Sequence, residues 1–385
     1  MDKKSKHILF LPRWYPHQGD PMFGLFVKKH AESAALYNKV SVLYVQGLST
    51  SDAFTKMELF ETPPLFTAIY YYKNSSCKIW NVLRYWYYLI KGYRFIIKKQ
   101  GKPTINHVHI LTRLGLFAFL LKKINGTPYL ITEHWSRYLP VPNTYSGWIR
   151  KNLGKIVVKN AFAVLPVSLN LEKAMKKHHL INSNYKVIPN VADPIFFHEY
   201  EKKASDQAPV FIHVSTFEDR AKNISGLLRT IKRLSEKHSD FELWLVGEGM
   251  DFDTMKNYAV ELDIPKNQFR FYGLKQGKAL VDLYQKADYL VLFSNFENIP
   301  VVINEAQACG LPVIATHVGG ISEIINKKNG FLLEPNNEIE LEAVLEHVII
   351  DKPSFNAIEI KQNARLNFSI EHIGKQLNTI YSNAQ

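Results

Sequence analysis

The sequence of 385 residues predicts an α/β protein with parallel sheets that is divided into two domains. Short apolar runs such as HILFL (7–11) and VFIHVST (210–216) alternate with amphipathic helical patterns. A charged, loop-like stretch at 199–209 interrupts this alternation, and we expect the linker there. Charge divides at the same place, since residues 1–200 hold 28 Lys and Arg against 10 Asp and Glu, and residues 201–385 hold 20 against 25.

The first half alternates strand and helix patterns from its start. Strands are predicted at 7–11, 39–45, 105–110, 128–134 and 162–168, with helices at 25–37, 80–102, 114–124 and from 169 to about 179. The segment 186–197 then leads to the linker.

The second half repeats the alternation. Strands are predicted at 210–216, 242–249, 270–273, 287–293, 312–316 and 331–335, with helices at about 224–234, 299–309 and 369–382. Pro300 suits the beginning of its helix because its missing N–H would be unpaired there, and Gly310 suits the end.

Two glutamates, Glu297 and Glu305, lie at the strand-loop-helix-strand unit of residues 287–316. Such crossovers bind ligands outside the carboxyl ends of the strands. An acid near a helix N-terminus also has a purely structural use against the helix dipole. However, the helix around Glu305 is mostly apolar, and a carboxylate there needs donors such as sugar hydroxyls.

The composite of Glu297, Glu305, Gly310, Pro312 and the pair Gly319–Gly320 resembles the E-x7-E signature of family 4 of the retaining glycosyltransferases. The resemblance implies the GT-B fold: two Rossmann-like, doubly wound domains facing across a cleft, with a C-terminal helix that crosses back to the first domain. We expect an acceptor-binding domain at 1–198, a nucleotide-sugar-binding domain at 199–367 and the returning helix at 368–385. In that family the first Glu binds donor-sugar hydroxyls and the second binds the ribose, which assigns these roles to Glu297 and Glu305.

The same resemblance implies further site residues. Lys222 matches a diphosphate-binding Lys, whereas the family's Arg five or six residues earlier is replaced by Phe217 or Thr216, so Arg220 is the candidate second cation. His134, at a strand end, is the catalytic candidate of the first domain. The expected donor-binding residues besides Glu305 are Asn298, Ile299, Gly19, Tyr272, Gly273, Gly319 and Gly320. The expected reaction needs no metal and no cofactor, with a nucleotide diphosphate sugar such as a UDP-sugar as co-substrate.

The helix at 80–102 has two interpretations. Its cations, Arg84, Lys91, Arg94 and Lys98, fall along one side and suit a solvated stripe over a packed helix. Alternatively, they form with Trp80, Tyr85, Trp86, Tyr87 and Tyr88 a surface that rests on anionic lipid head groups.

We expect a cytoplasmic protein for three reasons. The chain has only two cysteines, the apolar stretch after its basic start is too short for a signal peptide, and it has no apolar run of about 18 residues. It could act peripherally on the inner face of the cell membrane.

The sequence therefore predicts a retaining hexosyltransferase that transfers a sugar to a glycan or lipid-linked acceptor, in cell-surface polysaccharide or lipopolysaccharide synthesis. A sugar-nucleotide epimerase of the same fold and a non-catalytic basic membrane-binding protein are the alternatives. A glycoside hydrolase fits less well, because its two carboxylates face each other across the scissile bond. Nucleic acid is not an expected partner, since no nucleic-acid-binding motif accompanies the basic half.

Overall fold

The computed structural model describes residues 6–49, 56–141, 144–198 and 208–384. The chain divides into a first unit, Met1–Val191 with Ile370–Gln385, and a second unit, Ala192–Ser369. The division after Val191 precedes the linker predicted at 199–209, of which residues 199–207 lie outside the described residues.

The first unit is built on a seven-stranded sheet in the order β3-β4-β2-β1-β5-β6-β7. All of its strand pairs are parallel except β3 with β4. In chain order its elements are β1 (His7–Pro12), α1 (Leu25–Ala35), β2 (Lys39–Leu48), β3 (Lys56–Thr62), β4 (Leu65–Lys73), α2 (Lys78–Gln100), β5 (Ile105–His109), α3 (Arg113–Asn125), β6 (Tyr129–Glu133), α4 (Trp148–Asn160), β7 (Ala163–Pro166) and α5 (Leu169–Lys177).

The predicted strands and helices of the first half are all present, whereas sequence reasoning missed the hairpin β3–β4 and helix α4. Helix α2 packs on the sheet through Tyr85, Leu89, Tyr93 and Ile96, which are buried. Tyr85 is therefore a core residue, and its assignment to an exposed aromatic surface was wrong. Its ring lies beneath the Arg113 guanidinium, 3.6 Å from the guanidinium carbon.

The second unit has six parallel strands in the order β10-β9-β8-β11-β12-β13. In chain order its elements are β8 (Val210–Val214), α6 (Asp219–Lys222), α7 (Ile224–Ser235), β9 (Glu242–Val246), α8 (Phe252–Glu261), β10 (Phe269–Gly273), α9 (Gly277–Lys286), β11 (Tyr289–Leu292), α10 (Val301–Ala308), β12 (Val313–Thr316), β13 (Gly330–Leu333), α11 (Glu338–Asp351) and α12 (Ala357–Phe368). Apolar clusters cover both faces of the sheet.

The chain reverses its direction across this second sheet between β8 and β11. From β8 it continues outward to β9 and β10, and it then returns to the other side for β11, β12 and β13. The carboxyl ends of β8 and β11 flank the topological switch point, which is where doubly wound sheets bind ligands.

The last helix, α13 (Ile370–Asn383), belongs to the first unit, as predicted. Gly374 lets it approach α1 closely, because a Cβ there would lie 2.4 Å from the Ser33 carbonyl oxygen. Its Tyr381 hydroxyl is 2.7 Å from Nδ1 of His107 in β5. None of the described helices is long and apolar enough to span a membrane.

Candidate active site

Lys222 and Glu297 form an ion pair at the switch point of the second unit. Lys222 is the last residue of α6, after β8, and Glu297 lies in the loop after β11. The Lys222 Nζ donates to Glu297 Oε1 over 2.5 Å, and the two side chains are 15% and 9% exposed. The sequence assigned these residues to one site from positions 75 apart, and the fold brings them into contact.

Both described hydrogen bonds to the Glu297 carboxylate go to the same oxygen, Oε1. The Ser294 hydroxyl also donates to Oε1, over 3.0 Å. Oε2 accepts no hydrogen bond within the described parts of the chain. One oxygen thus holds the side chain in place, and the other can accept hydrogen bonds from hydroxyl groups.

Hydrogen bonds tie the two loops of this site to each other. The backbone N–H of Asn295 donates to the Ala221 carbonyl over 2.8 Å, and its side-chain amide donates to the Arg220 carbonyl over 3.0 Å. The Thr316 hydroxyl, at the end of β12, donates to the Ser294 carbonyl over 2.6 Å. The ends of β8, β11 and β12 therefore fix the Lys222–Glu297 pair together.

Gly319 and Gly320 pack against the backbone of the Glu297 loop. Gly319 has a φ of 61°, and a Cβ there would lie 2.0 Å from the Glu297 carbonyl oxygen. The Gly320 N–H donates to the Asn298 carbonyl over 2.7 Å. Only glycine combines this left-handed backbone with such a close approach.

Helix α10 begins at Val301 and ends as predicted, with Gly310 in the left-handed conformation. Pro300 is the residue immediately before the helix rather than a member of its first turn. Ile299 is buried beside it, and Asn298 is half-buried. The first N–H groups of a helix lack intrahelical partners, so the beginning of α10 suits anionic groups.

Glu305 lies on α10 and is half-buried. Burial of the carboxyl, with a smaller contribution from Asp193, raises the pKa of Glu305 to about 7. The hydroxyl of the buried Tyr284 donates to Oε2 over a long 3.5 Å. The carboxyl group therefore retains most of its capacity to bind hydroxyl groups.

Three other residues of this unit were expected in the site, namely Arg220, Tyr272 and Gly273. Arg220 is exposed, and its guanidinium forms no ion pair or hydrogen bond with residues that the structure describes. Tyr272, at the end of β10, packs edge-on against Trp244, with ring centroids 5.4 Å apart. Gly273 follows with a φ of 64° and has open space where a Cβ would be.

Phe217 occupies one of the two positions at which the resemblance would place an Arg. Its side chain is fully buried and packs edge-on against Phe252, with ring centroids 4.9 Å apart. A charged residue could not be accommodated there without a partner. Thr216, the other possible position, is exposed.

In the first unit, His134 follows β6 and is only 8% exposed. Its Nδ1 is 3.1 Å from Asn190 Oδ1, and its Nε2 is 3.2 Å from Nδ1 of His109. With the amide oriented in this way, Oδ1 only accepts, so Nδ1 of His134 carries the proton. Burial and the nearby His30 lower the pKa of His134 well below its usual value, so the ring is neutral at pH 7.

Gly19 lies in an exposed turn of the loop after β1, and its N–H donates to Nδ1 of His17 over 3.1 Å. Gly24 is the glycine that this loop requires, since its φ is 69° and a Cβ would lie 2.4 Å from the Trp14 backbone. Sequence reasoning missed Ser294 and Tyr284, which hold the two glutamates, because neither belongs to a recognisable motif. Within the described residues no group of three or more His, Cys, Asp or Glu is arranged to hold a metal ion.

The chain is similar to known glycosyltransferases in sequence. Residues 196–366 match the family described as "Glycosyl transferases group 1". An uncharacterised glycosyltransferase of Methanocaldococcus jannaschii is 28% identical over 264 residues, which are 67% of this chain and 70% of the relative. The N-acetyl-alpha-D-glucosaminyl L-malate synthase of Bacillus anthracis is 27% identical over 250 residues, 62% of this chain and 63% of that protein.

Solved structures resemble nearly the whole chain. Sucrose-phosphate synthase of Thermosynechococcus elongatus has a TM-score of 0.75 at 18% identity and covers 98% of both chains. Anabaena HepE in complex with UDP and glucose has a TM-score of 0.71 at 18% identity, covering 98% of this chain and all of that one. The lipopolysaccharide outer core galactosyltransferase WaaB has a TM-score of 0.69 at 18% identity, covering 98% and 99%.

The protein has the GT-B fold. The residues that match the group 1 glycosyltransferases, 196–366, lie in its second unit.

Proposed function

We propose that this glycosyltransferase moves a hexose from a nucleotide diphosphate sugar to a glycan or lipid-linked acceptor, with retention of the anomeric configuration and without a metal ion. The observation that carries this proposal is the Lys222–Glu297 pair at the switch point of the second sheet. Because the two side chains lie side by side, the cation can bind the diphosphate while the acid binds the sugar that is joined to it.

Lys222 acts on the leaving group. The departing diphosphate gains negative charge, and the Lys222 ammonium with the first N–H groups of α10 stabilises that charge. Arg220, exposed two residues earlier, supplies a second cation when the donor is bound. The acceptor hydroxyl attacks from the same face that the diphosphate leaves and gives its proton to the departing phosphate oxygen, which gives retention.

The two glutamates hold the donor. Glu297 accepts hydrogen bonds from sugar hydroxyls through Oε2, and Glu305 accepts them from the ribose. Tyr272 and Gly273, at the end of β10, lie beside the nucleotide base, and Gly319 with Gly320 sets the position of the Glu297 loop. In the first unit, His134 is the proposed catalytic residue, and Gly19 is proposed to bind the donor. A UDP-sugar is the proposed donor, since the similar HepE binds UDP and glucose.

The proposed acceptor belongs to cell-surface polysaccharide or lipopolysaccharide synthesis, in line with the likeness to WaaB. The first half of α2 leaves Ile79, Trp80, Leu83 and Tyr87 between 52% and 72% exposed. Arg84, Lys91, Arg94 and Lys98 are exposed on the same helix. Apolar and basic side chains together suit an anionic membrane surface, so we propose a cytoplasmic enzyme that attaches to the inner face of the membrane.

The test begins with a panel of sugar nucleotides. A donor at 100 times its dissociation constant adds about 2.7 kcal/mol to the free energy of unfolding, which a thermal shift detects. The Lys222→Gln variant should lose most of this stabilisation. Lys278→Gln, which removes a charge from an 83% exposed side chain of the same unit, is the matched control and should keep it.

The donor so identified is then used in a transfer assay with NMR of the product anomer. Retention is expected, and an inverted anomer would contradict the mechanism. A donor that is epimerised without any acceptor would instead identify a sugar-nucleotide epimerase.

A further inference from the structure

A cavity of about 380 Å³ in the first unit is lined by four arginines, Arg13, Arg113, Arg137 and Arg150. They come from the loop after β1, the beginning of α3, the segment after β6 and α4. No Asp or Glu is among the described residues that line the cavity. The volume falls in the usual range for small-molecule sites.

The four positive charges form no direct ion pairs with described residues, although the buried Glu133 attracts the Arg137 guanidinium without contacting it. None of these arginines forms an ion pair with Asp or Glu in the described parts of the chain. The buried Glu133 behind them already accepts hydrogen bonds from four neutral donors, namely the backbone N–H groups of Leu111, His134 and Trp135 and the Tyr138 hydroxyl. The excess positive charge of the cavity is therefore available to a ligand.

Arg137 is the best evidence that the cavity is a built site. Its side chain is only 4% exposed and stacks on Trp135, with 4.3 Å from the guanidinium carbon to the ring centroid. One terminal nitrogen donates to the Leu111 carbonyl and to the Tyr138 hydroxyl. Its Nε is buried without a hydrogen-bond partner, which a protein normally avoids.

Two further features of the lining favour an anion. Thr112 precedes the first residue of α3, and its buried Oγ1 also lacks a partner. The beginning of α3 therefore brings unpaired N–H groups to the cavity. Arg113 is held in place by stacking on Tyr85, so little rotamer freedom would be lost on binding.

We propose that this cavity binds a phosphate group of the acceptor, either a phosphomonoester or a diphosphate. Guanidinium groups match phosphate oxygens in pairs, and four of them suit a group that carries nearly two negative charges or more. That the bound phosphate belongs to the acceptor rests on the proposed function. The existence of an anion site does not depend on it.

The test measures binding of inorganic diphosphate and inorganic phosphate by calorimetry, with UDP present in saturating amount to occupy the second unit. The full-length protein should bind both anions. Arg113→Gln/Arg150→Gln changes two side chains that are not fully buried, and it should weaken binding at least tenfold. Arg94→Gln, which removes an exposed charge from α2 outside the cavity, should change binding less than twofold.

Several outcomes would overturn the proposal. One is that neither anion binds. Another is that Arg94→Gln weakens anion binding as much as the arginine variant does, and a third is that acetate binds as tightly as phosphate. Loss of anion binding in Lys222→Gln but not in the arginine variant would locate the anion in the second unit. If UDP fails to bind while the arginine variant still binds diphosphate more weakly than the unchanged protein, the assignment of a UDP-sugar donor fails and the anion site stands.

Transfer kinetics then identify the source of the phosphate. One acceptor is a soluble hexose phosphate, and the other is a sugar linked to a short prenyl diphosphate. The arginine variant should raise the acceptor KM at least tenfold for the true class, with the donor KM unchanged. An equal rise in both KM values would mean a general structural effect and would contradict the proposal.

Discussion

The strand ends of the two units carry positive charge in different ways. In the second unit Lys222 is paired with Glu297 at 2.5 Å, within loops that are hydrogen-bonded to each other. In the first unit Arg13, Arg113 and Arg150 line a cavity with no acidic partner in the described chain. In an ion pair, the cation can turn from its acid to a substrate whose negative charge grows during the reaction. Arginines without an acid suit an anion whose charge stays the same.

The largest effect is expected from Glu297→Ala, which leaves Lys222 as uncompensated as the arginines of the first unit. Transfer should fall on the order of 10³-fold, about 4 kcal/mol, because the sugar loses a charged hydrogen-bond partner. UDP affinity should not fall, since Lys222 no longer has a competing acid.

Steady-state kinetics and calorimetry with UDP measure these two effects of Glu297→Ala. Glu261→Ala, an exposed glutamate on α8, is the control and should be unchanged. Near-normal turnover in Glu297→Ala would refute the assignment. Glu297→Gln keeps the size of the side chain and replaces the alanine variant if that one does not fold.

A smaller effect is expected from Gly319→Ala, which changes the position of the pair rather than its charge. The Cβ would overlap the Glu297 carbonyl oxygen, so the loop must shift. A displacement of about 1 Å can lower kcat about 100-fold. The left-handed backbone alone adds about 1–2 kcal/mol of destabilisation.

Gly277→Ala separates these two contributions to the Gly319→Ala effect. Gly277 also has a positive φ, 53°, but open space where the Cβ would be. It should lose stability in thermal unfolding and keep its kcat. If both variants lose kcat equally, the close packing of Gly319 on the Glu297 loop has no specific role in positioning.

The two regions also differ in how far the sequence could predict them. Glu297, Glu305, Pro300 and Gly310 lie within one strand-loop-helix unit, where spacing along the chain nearly determines spacing in the fold. Lys222 could be added because it matches the diphosphate-binding Lys of the family that the sequence resembles. The contact between Lys222 and Glu297, and the Ser294 hydroxyl that shares it, required the structure.

The arginine cavity of the first unit could not be found from sequence patterns. Its members come from four separate segments, and isolated arginines in a basic half resemble surface charges. Strand β3 was missed because most of it is exposed and lacks the apolar run that marked the other strands, whereas the buried apolar run of β4 was overlooked. Tyr85 was misassigned because aromatic residues surround much of α2, and only the packing on the sheet shows which of them are core.

A third prediction concerns Glu305, whose acid is only weakly partnered. With a pKa of about 7 in the folded protein and about 4.5 unfolded, the folded state binds more protons between these pH values. Stability from this group is therefore highest at low pH and falls as pH rises toward 7. Glu305→Gln should raise the free energy of unfolding on the order of 2 kcal/mol at pH 8, somewhat less than the full shift because the residue is partly exposed.

Denaturant unfolding at pH 8 and pH 5 measures this difference. At pH 5 the acid is already protonated when folded, so the gain should be much smaller. Glu338→Gln provides the opposite control, because Arg229 and Arg233 lower the pKa of that carboxyl and the substitution should destabilise the protein at pH 8. An equal gain for Glu305→Gln at both pH values would contradict the proposed burial of the carboxyl.

The smallest effect is expected on the outer surface of the first unit, where single charges act through solvent. Each Lys or Arg near an anionic bilayer contributes about 1 kcal/mol, so Lys91→Gln should lower binding to anionic vesicles about fivefold at low salt. Lys278→Gln in the second unit should not change it. Vesicle sedimentation with anionic and neutral lipid measures the partitioning. Equal partitioning onto both lipids would leave the cations of α2 as a solvated stripe and confine the functional charge of this unit to the arginine cavity.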